Sequence, residues 1–422
     1  VSVEAPRRRR SLTNVGGTID RSGDAEASTA LAGALDVAPP ADRADAPDRA
    51  HVHGFHAYPA RAHPITARRL VLAFAPERGL LLDPFCGSGT VLVEAMLAGR
   101  DVVGTDLNPL AVMLARAKTY PRSKEKTEAL VAAARTAAAF ADERRKAKAG
   151  ATRRLPREDV AIFAPHVLLE LDSIRAGITT KSPPETRPEL LLVLSSILVK
   201  LSQKRGDTSD ETQEKRIGAG RAAKLFVAKA EEVARRMDEF ASLVPTPPPR
   251  ARVYLDDATQ LARVADASVD AVVTSPPYVA TYDYLAHHDV RMRWLGLDAR
   301  ALEEGELGAR RRYAKLTPER ARTEWKDELA RLLRSLARVM KPDAPLVLLI
   351  ADSATARGPR GEPAQALRAD ALVAEVAQAT RLFVPVARAS QARPHFHGPT
   401  AAAFRNAARA EHAILLRRGK DA

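Results

Sequence analysis

An α/β fold with a mostly parallel, Rossmann-like sheet and a helical insertion is predicted by three features of this chain. Short apolar runs ending in acids alternate with helical stretches between His56 and Thr119. That alternation stops for about 130 residues, from 121 to 250, where the pattern is almost wholly helical. It then resumes at Ala251 and continues toward the end of the chain. Alternating strands and helices signal a parallel sheet covered on both faces, so the two outer stretches read as halves of one domain.

The elements follow in order. Residues 1–50 open with Arg7-Arg8-Arg9-Arg10, then an Ala/Asp/Pro/Gly-rich stretch without periodicity, and read as a disordered basic tail. Residues 51–120 form the first part of the sheet domain. Thr66–Phe74 reads as a helix, Gly79–Asp83 as a strand, and Thr90–Leu97 as a helix stopped at Gly99. Asp101–Asp106 is a second strand, after which Asn108 caps a helix that has Pro109 at its first position. Within the insertion, Phe226, Ala230, Val233, Met237 and Phe240 recur at helical spacing, which marks a packed face. Pro245–Pro249 closes it as a stiff link. Residues 251–422 supply the second part: strands at Ala251–Leu255, Val269–Val273, Pro345–Ile350, Leu382–Val386 and Glu411–Leu416, with a polar helical region up to Met340.

Bulk properties narrow the class of function. With 422 residues and 45% hydrophobic content the chain can bury a sizeable core. A net charge of +14 and a pI near 10.0 favour a polyanionic partner, nucleic acid before membrane. The single cysteine, Cys86, excludes a disulfide framework and a multi-cysteine zinc site. No apolar run approaches bilayer length and no signal-peptide pattern opens the chain, so a cytoplasmic setting is expected.

Two motifs carry the chemistry. In the first, Asp83-Pro84-Phe85-Cys86-Gly87-Ser88-Gly89-Thr90 follows a strand end, where ligands of an open parallel sheet bind. Gly87 and Gly89 permit close backbone approach to a ligand. Asp106 at the next strand end is placed to accept from a ribose diol, and Asp257 after the third strand to accept from an adenine amino group. A nicotinamide dinucleotide fits less well. Leu92 stands where its third glycine belongs, and Asp83 would repel a pyrophosphate. A cationic adenosine such as S-adenosylmethionine suits that acid better. In the second motif, Thr274-Ser275-Pro276-Pro277-Tyr278 ends the apolar run Val269–Val273. Its prolines fix the backbone and leave carbonyls without a ladder partner, beside a hydroxyl and an aromatic face. Those groups suit a flat, amino-bearing ring.

The paired motifs resemble the S-adenosylmethionine-dependent DNA amino-methyltransferases, most closely the cytosine-N4 type with its Ser-Pro-Pro-Tyr element. The resemblance covers roughly residues 51–120 and 250–420, and takes in His56–Pro64, which looks like the segment that precedes the cofactor motif in related methylases. It implies a class I methyltransferase fold of seven strands, the last antiparallel. It implies cofactor contacts from Tyr58, Asp83, Pro84, Phe85, Gly87, Gly89, Thr90, Asp106 and Asp257, and a catalytic turn of Ser275, Pro276, Pro277 and Tyr278. DNA is the implied partner in a restriction-modification setting, with no nuclease assigned. The long insertion departs from the pattern, so no target-recognition domain is transferred by position.

The chemistry accounts for the residue types. A base amino nitrogen is a poor nucleophile because its lone pair is delocalised into the ring. Ser275 and the Pro276 carbonyl, by resemblance, bind its two N–H groups and redirect that lone pair. Transfer is then an in-line displacement that needs neither metal nor covalent nucleophile. Tyr278 would stack on an extruded base. Adenine N6 is a weaker alternative because Ser275 stands where adenine enzymes usually carry an acid or amide. RNA guanine-N2 is the nearest rival, and residues 1–50 show no RNA-binding module. A catalytically idle nucleic-acid binder is disfavoured by the intact Asp83, Asp106 and Ser275–Tyr278.

Other residues read more plainly. Cys86 packs as a small residue within the loop. His51, His53, His56 and His63 cluster in sequence without a cysteine beside them, and no metal site is expected there. His287-His288 reads as a helix surface before a contact to phosphate or base, and His395–Gly398 as a loop without an assignable role. The basic stretches at 200–236 and 309–341 carry matching acids, and read equally as solvated faces or as phosphate contacts.

Overall fold

A computed structural model describes residues 17–39, 46–206, 211–356, 362–393 and 402–419. The Arg7–Arg10 run and His395–Gly398 lie outside those ranges.

The chain opens with strand β1 (Ile19–Gly23) and helix α1 (Ala25–Leu35), capped by Asp24, whose carboxylate accepts the Ala27 N–H at 2.8 Å. A run of 3-10 turns at Pro47–Arg49 and His51–Gly54 leads to α2 (Pro64–Phe74). Then follow β2 (Leu80–Asp83), α3 (Thr90–Leu97), β3 (Asp101–Asp106) and α4 (Pro109–Lys118). The insertion carries α5 (Lys124–Lys146), α6 (Arg157–Ile162), α7 (Pro165–Lys181), α8 (Arg187–Leu201) and α9 (Arg221–Leu243). After it come β4 (Ala251–Leu255), β5 (Ala271–Thr274), α10 (Tyr284–Leu295), α11 (Arg300–Gly305), α12 (Arg310–Tyr313) and α13 (Pro318–Val339). The chain finishes with β6 (Pro345–Ala351), the small pair β7 (Ser353–Ala354) and β8 (Ala366–Leu367), α14 (Ala369–Thr380), β9 (Phe383–Ala392) and β10 (Ala410–Arg418).

The main sheet has eight strands in the order β1-β9-β10-β6-β5-β2-β3-β4. β6, β5, β2, β3 and β4 are mutually parallel, and β10 runs antiparallel between β6 and β9. This is the class I, Rossmann-like methyltransferase topology with its last strand reversed, plus one strand at the edge. That added strand corrects the sequence reading of residues 1–50. Ile19–Gly23 pairs antiparallel with Ala387–Gln391, and Leu31, Ala34 and Leu35 of α1 enter the core. The signal was faint because β1 is an edge strand with only Ile19 partly buried.

Two apolar cores flank the sheet. One joins α1–α4 to the insertion helices, so the insertion is packed onto the domain. The stripe Phe226, Ala230, Val233, Met237 and Phe240 of α9 is buried, as its spacing predicts. Arg236 of α9 donates to the carbonyls of Arg49 and His51, and His56 Nε2 lies 2.7 Å from Ser195 Oγ of α8. The insertion thus holds the segment that leads into Tyr58.

Candidate active site at the carboxyl edge of the sheet

From β2 the chain winds outward through β3 to β4, whereas β5 and β6 lie on the other side. The strand order therefore switches between β2 and β5, where an open α/β sheet forms its ligand crevice. A cleft opens there. Its walls include Tyr58, Pro84, Phe85, Gly87, Asp106, Asp257, Ser275 and Pro277, which come from five separate stretches of sequence.

The loop after β2 is held by its neighbour strand: the Cys86 N–H donates to Thr105 O at 3.0 Å, and Thr105 Oγ1 to Pro84 O at 3.2 Å. The Gly87 N–H donates to Asp106 Oδ2 at 2.9 Å, and the Asn108 N–H to Oδ1 at 2.8 Å. Each carboxylate oxygen keeps a lone pair for a ligand hydroxyl. Burial raises the Asp106 carboxyl to about 6, opposed by those two N–H donors. Gly87 has φ +49°, and a Cβ there would stand 3.3 Å from the Tyr58 ring. Tyr58 is fixed from three sides. Its hydroxyl accepts from Asn108 Nδ2 at 3.3 Å, and its ring stacks on His288 at 4.8 Å and Tyr284 at 6.3 Å.

Several expected site residues stand behind the cleft instead of lining it. Asp83 is buried, accepting from Thr274 Oγ1 at 2.6 Å and from the Phe85 N–H at 3.2 Å. Burial raises it to about 7. It ties the end of β2 to the residue before Ser275, so it braces both motifs. Gly89, with φ +85°, precedes α3, and a Cβ would come within 3.1 Å of Ala115 Cα on α4. Its small size serves helix packing, and Thr90 beside it is buried at the start of α3. Pro276 and Tyr278 are likewise outside this cleft. The Tyr278 hydroxyl donates to Glu411 Oε1 at 3.0 Å and the ring lines a second cavity.

Sequence reasoning missed other walls. Leu107 and Asn108 follow Asp106, Ala258 follows Asp257, and Leu302 and Gly305 of α11, with Glu306 and Leu307 just after it, close the cleft. Glu306 accepts the Tyr284 N–H at 2.8 Å and pairs with Arg311. No motif marks α11; only an apolar pair around a glycine hinted at it. His288, expected on a helix surface, is fully buried against Tyr58, and burial holds it down at about 3.

The four histidines divide their duties. His56 bonds Ser195, while His63 caps α2 through Nδ1, which accepts the Ile65 N–H at 3.3 Å. His51 and His53 lie 4.7 Å apart by ring centroids, and His53 Nε2 is 2.7 Å from Glu94 Oε1. The acid that pairs with His53 is thus supplied by α3.

The insertion's basic loop corrects another expectation. Lys215 Nζ donates to the carbonyls of Ser202 at 2.6 Å and Lys204 at 2.7 Å, closing the end of α8, and Arg205 pairs with Glu211 at 2.6 Å. Replacing Lys204, Arg205, Lys215 and Arg216 together is therefore expected to lower thermal stability. Replacing only Lys204 and Arg216 tests phosphate contact: the dependence of DNA affinity on salt should flatten, and an unchanged slope assigns them to a solvated face.

Comparison with known proteins bears on the first half of this site. A family model described as "DNA methylase" matches residues 41–116, which include Tyr58, the Asp83–Thr90 loop and Asp106. Type II methyltransferase M.MvaI of Kocuria varians is 47% identical over 72 residues, covering 16% of each chain. Type II methyltransferase M.MjaII of Methanocaldococcus jannaschii is 34% identical over 68 residues, covering 16% of this chain and 13% of that one. The chain thus matches under a fifth of the length of either relative. Among solved structures, the rRNA methyltransferase aviRa of Streptomyces viridochromogenes is 15% identical, with 89% of this chain and 94% of that chain covered, at a TM-score of 0.33. A likeness at that level carries no argument about function. No helix among the described residues is long and apolar enough to cross a membrane.

Proposed function

We propose that this protein is an S-adenosylmethionine-dependent DNA methyltransferase that modifies an exocyclic base amine, cytosine N4. The observation that carries the reading is a single cleft in which Ser275 and Pro277 face Gly87, Asp106 and Asp257. A nucleoside wall and an amine-orienting turn are thereby opposed across one space.

The residues fit the cofactor. Asp106 offers unused lone pairs to a ribose diol, Gly87 takes a left-handed φ of +49° in tight contact with Tyr58, and Phe85 and Leu107 supply apolar surface for a ring. Asp257 Oδ1 accepts from the Thr259 N–H and hydroxyl at 2.8 Å each, and Oδ2, which accepts from Gln260 Nε2 at 3.2 Å, keeps a second lone pair for an adenine amino group. When bound, S-adenosylmethionine supplies an electrophilic methyl group on a sulfonium. The protein's part is orientation. Asp83 and Thr274 lock the start of the turn, Pro276 and Pro277 fix its path, and Ser275 presents an oxygen to the incoming amine. The basic balance of the chain supports a nucleic-acid substrate, and the DNA methylase match supports DNA.

A pH dependence follows from Asp106. Its folded pKa lies above the ordinary carboxylate value, so the buried carboxyl favours the fold below about pH 4 and costs stability as pH rises through about 6. Ribose hydroxyls need the ionised form as acceptor, so cofactor affinity should run the other way and weaken as pH falls below about 6. Calorimetry of wild type beside Asp106→Asn checks this. The variant should bind more weakly at neutral pH and lose most of the dependence. A persistent dependence would transfer it to another group, Asp83 first.

The function itself is tested by nucleoside analysis of DNA from cells that express the protein. N4-methylcytosine above the background of empty-vector cells is the expected result, and its absence together with any other methylated base would overturn the reading.

A further inference from the structure

Helix α3, which follows the Asp83–Thr90 loop, carries Glu94 into a group of side chains that methyl transfer does not use. His51 and His53 join it from the 3-10 turn ahead of Tyr58. All three are more than nine-tenths buried, His53 completely. None lines the cleft or the cavity beside Tyr278. Each offers one ligand atom, and the three atoms lie within 4.8 Å of one another.

Hydrogen bonding leaves this group incomplete. His53 Nε2 meets Glu94 Oε1 at 2.7 Å, yet Nδ1 of His53 and Nδ1 of His51 are buried with no partner among the described residues. The two rings stand 4.7 Å apart by centroids. Buried polar atoms are normally paired, so two unpaired nitrogens side by side call for an occupant. Burial also disfavours the charged form of both rings, and a neutral imidazole is the form that ligates a metal.

The surrounding charge admits a cation. Glu94, Asp48 and Glu239 act on the two histidines as acids, against the guanidinium groups of Arg61 and of Arg68, which lies 3.7 Å from Glu94 Oε2. Lys118 is the group that would oppose an ion. It is fully buried with no hydrogen-bond partner among the described residues, and burial holds it well below the ordinary lysine value, which favours the neutral amine.

We propose that His51, His53 and Glu94 bind a zinc ion, with water completing its coordination, and that the ion pins the segment leading into Tyr58 to α3. Two imidazoles and one carboxylate suit zinc, whereas magnesium and calcium take oxygen ligands. Small side-chain rotations close the separation from 4.8 Å to about 3.3 Å, the edge of a zinc tetrahedron with bonds of about 2.0 Å. The ion is structural and takes no part in methyl transfer. Sequence spacing hid the site because Glu94 stands 41 positions beyond His53.

The test uses the full chain, stripped with a chelator and then supplied with zinc alone. Equilibrium dialysis with elemental analysis should find about one zinc per chain, and zinc should raise the melting temperature. His51→Asn removes a ligand nitrogen and tolerates the positive φ of that residue, +28°. It should weaken zinc binding about tenfold or more and remove most of the melting shift. Glu94→Gln keeps the side-chain volume and should do the same. Should Glu94→Gln fail to fold, His51→Asn decides, because the buried Nδ1 of His51 has no hydrogen bond to lose. A wild-type chain that neither binds zinc nor gains stability from it would overturn the proposal. So would zinc binding that persists undiminished in His51→Asn. DNA methylation is not read in this test, so either result leaves the proposed function standing.

Discussion

Ser275→Ala should lower single-turnover methyl transfer about 10- to 100-fold, the range for losing a hydrogen bond to a group that gains charge in the transition state. The amine nitrogen becomes positive as it attacks, so the Ser275 oxygen is worth more in the transition state than in the ground state. S-adenosylmethionine affinity should change little if, as proposed, Ser275 meets the base amine and not the nucleoside. Tyr278 calls for a pair of variants because its ring and hydroxyl have separate partners. Tyr278→Phe removes the hydroxyl's bonds to Glu411 and to the Ser275 side chain while keeping the ring. Tyr278→Ala also removes a stacking face worth about 1–3 kcal/mol per base in single-strand binders. Its defect should therefore shrink on a mismatched target that is already easier to extrude. Wild-type rates in both Ser275→Ala and Tyr278→Ala would remove the turn from the reaction.

Asp106→Ala should weaken S-adenosylmethionine binding by about 1.5–3 kcal/mol, measured by calorimetry on folded protein. The variant loses the ribose acceptor and also strands the Gly87 and Asn108 N–H groups that Asp106 now satisfies. Asp106→Asn separates these effects, because its amide oxygen can still accept from one of them. An affinity equal to wild type in both variants would place the ribose elsewhere.

The strands were legible because each buried run ends in a chemically distinctive residue: β2 in Asp83, β3 in Asp106, β5 in Thr274 before Ser275. β1 was not, because an edge strand needs only one half-buried residue, and its partner lies more than 360 positions away. At the site, sequence marks motifs but not which side of a motif faces the ligand. Gly87 and Gly89 look alike in a Gly-x-Gly pattern, yet one borders the cleft and the other lets α3 approach α4. Asp83 and Asp106 both end strands, and only Asp106 lines the cleft. Lys215 read equally as a solvated charge or a phosphate contact, because a run of charges does not disclose that one ammonium is already bound to three carbonyls. His63 looked like part of a histidine cluster, and its capping of α2 emerges only with the start of that helix.

The central claim is that the Asp106 wall and the Ser275 turn form one methyl-transfer site. It is tested most directly by nucleoside mass spectrometry on DNA from cells expressing wild type, Asp106→Ala or Ser275→Ala at equal soluble levels. N4-methylcytosine that is abundant with wild type and falls sharply with either variant is the predicted result. Methylation by wild type that persists undiminished in both variants would contradict the account.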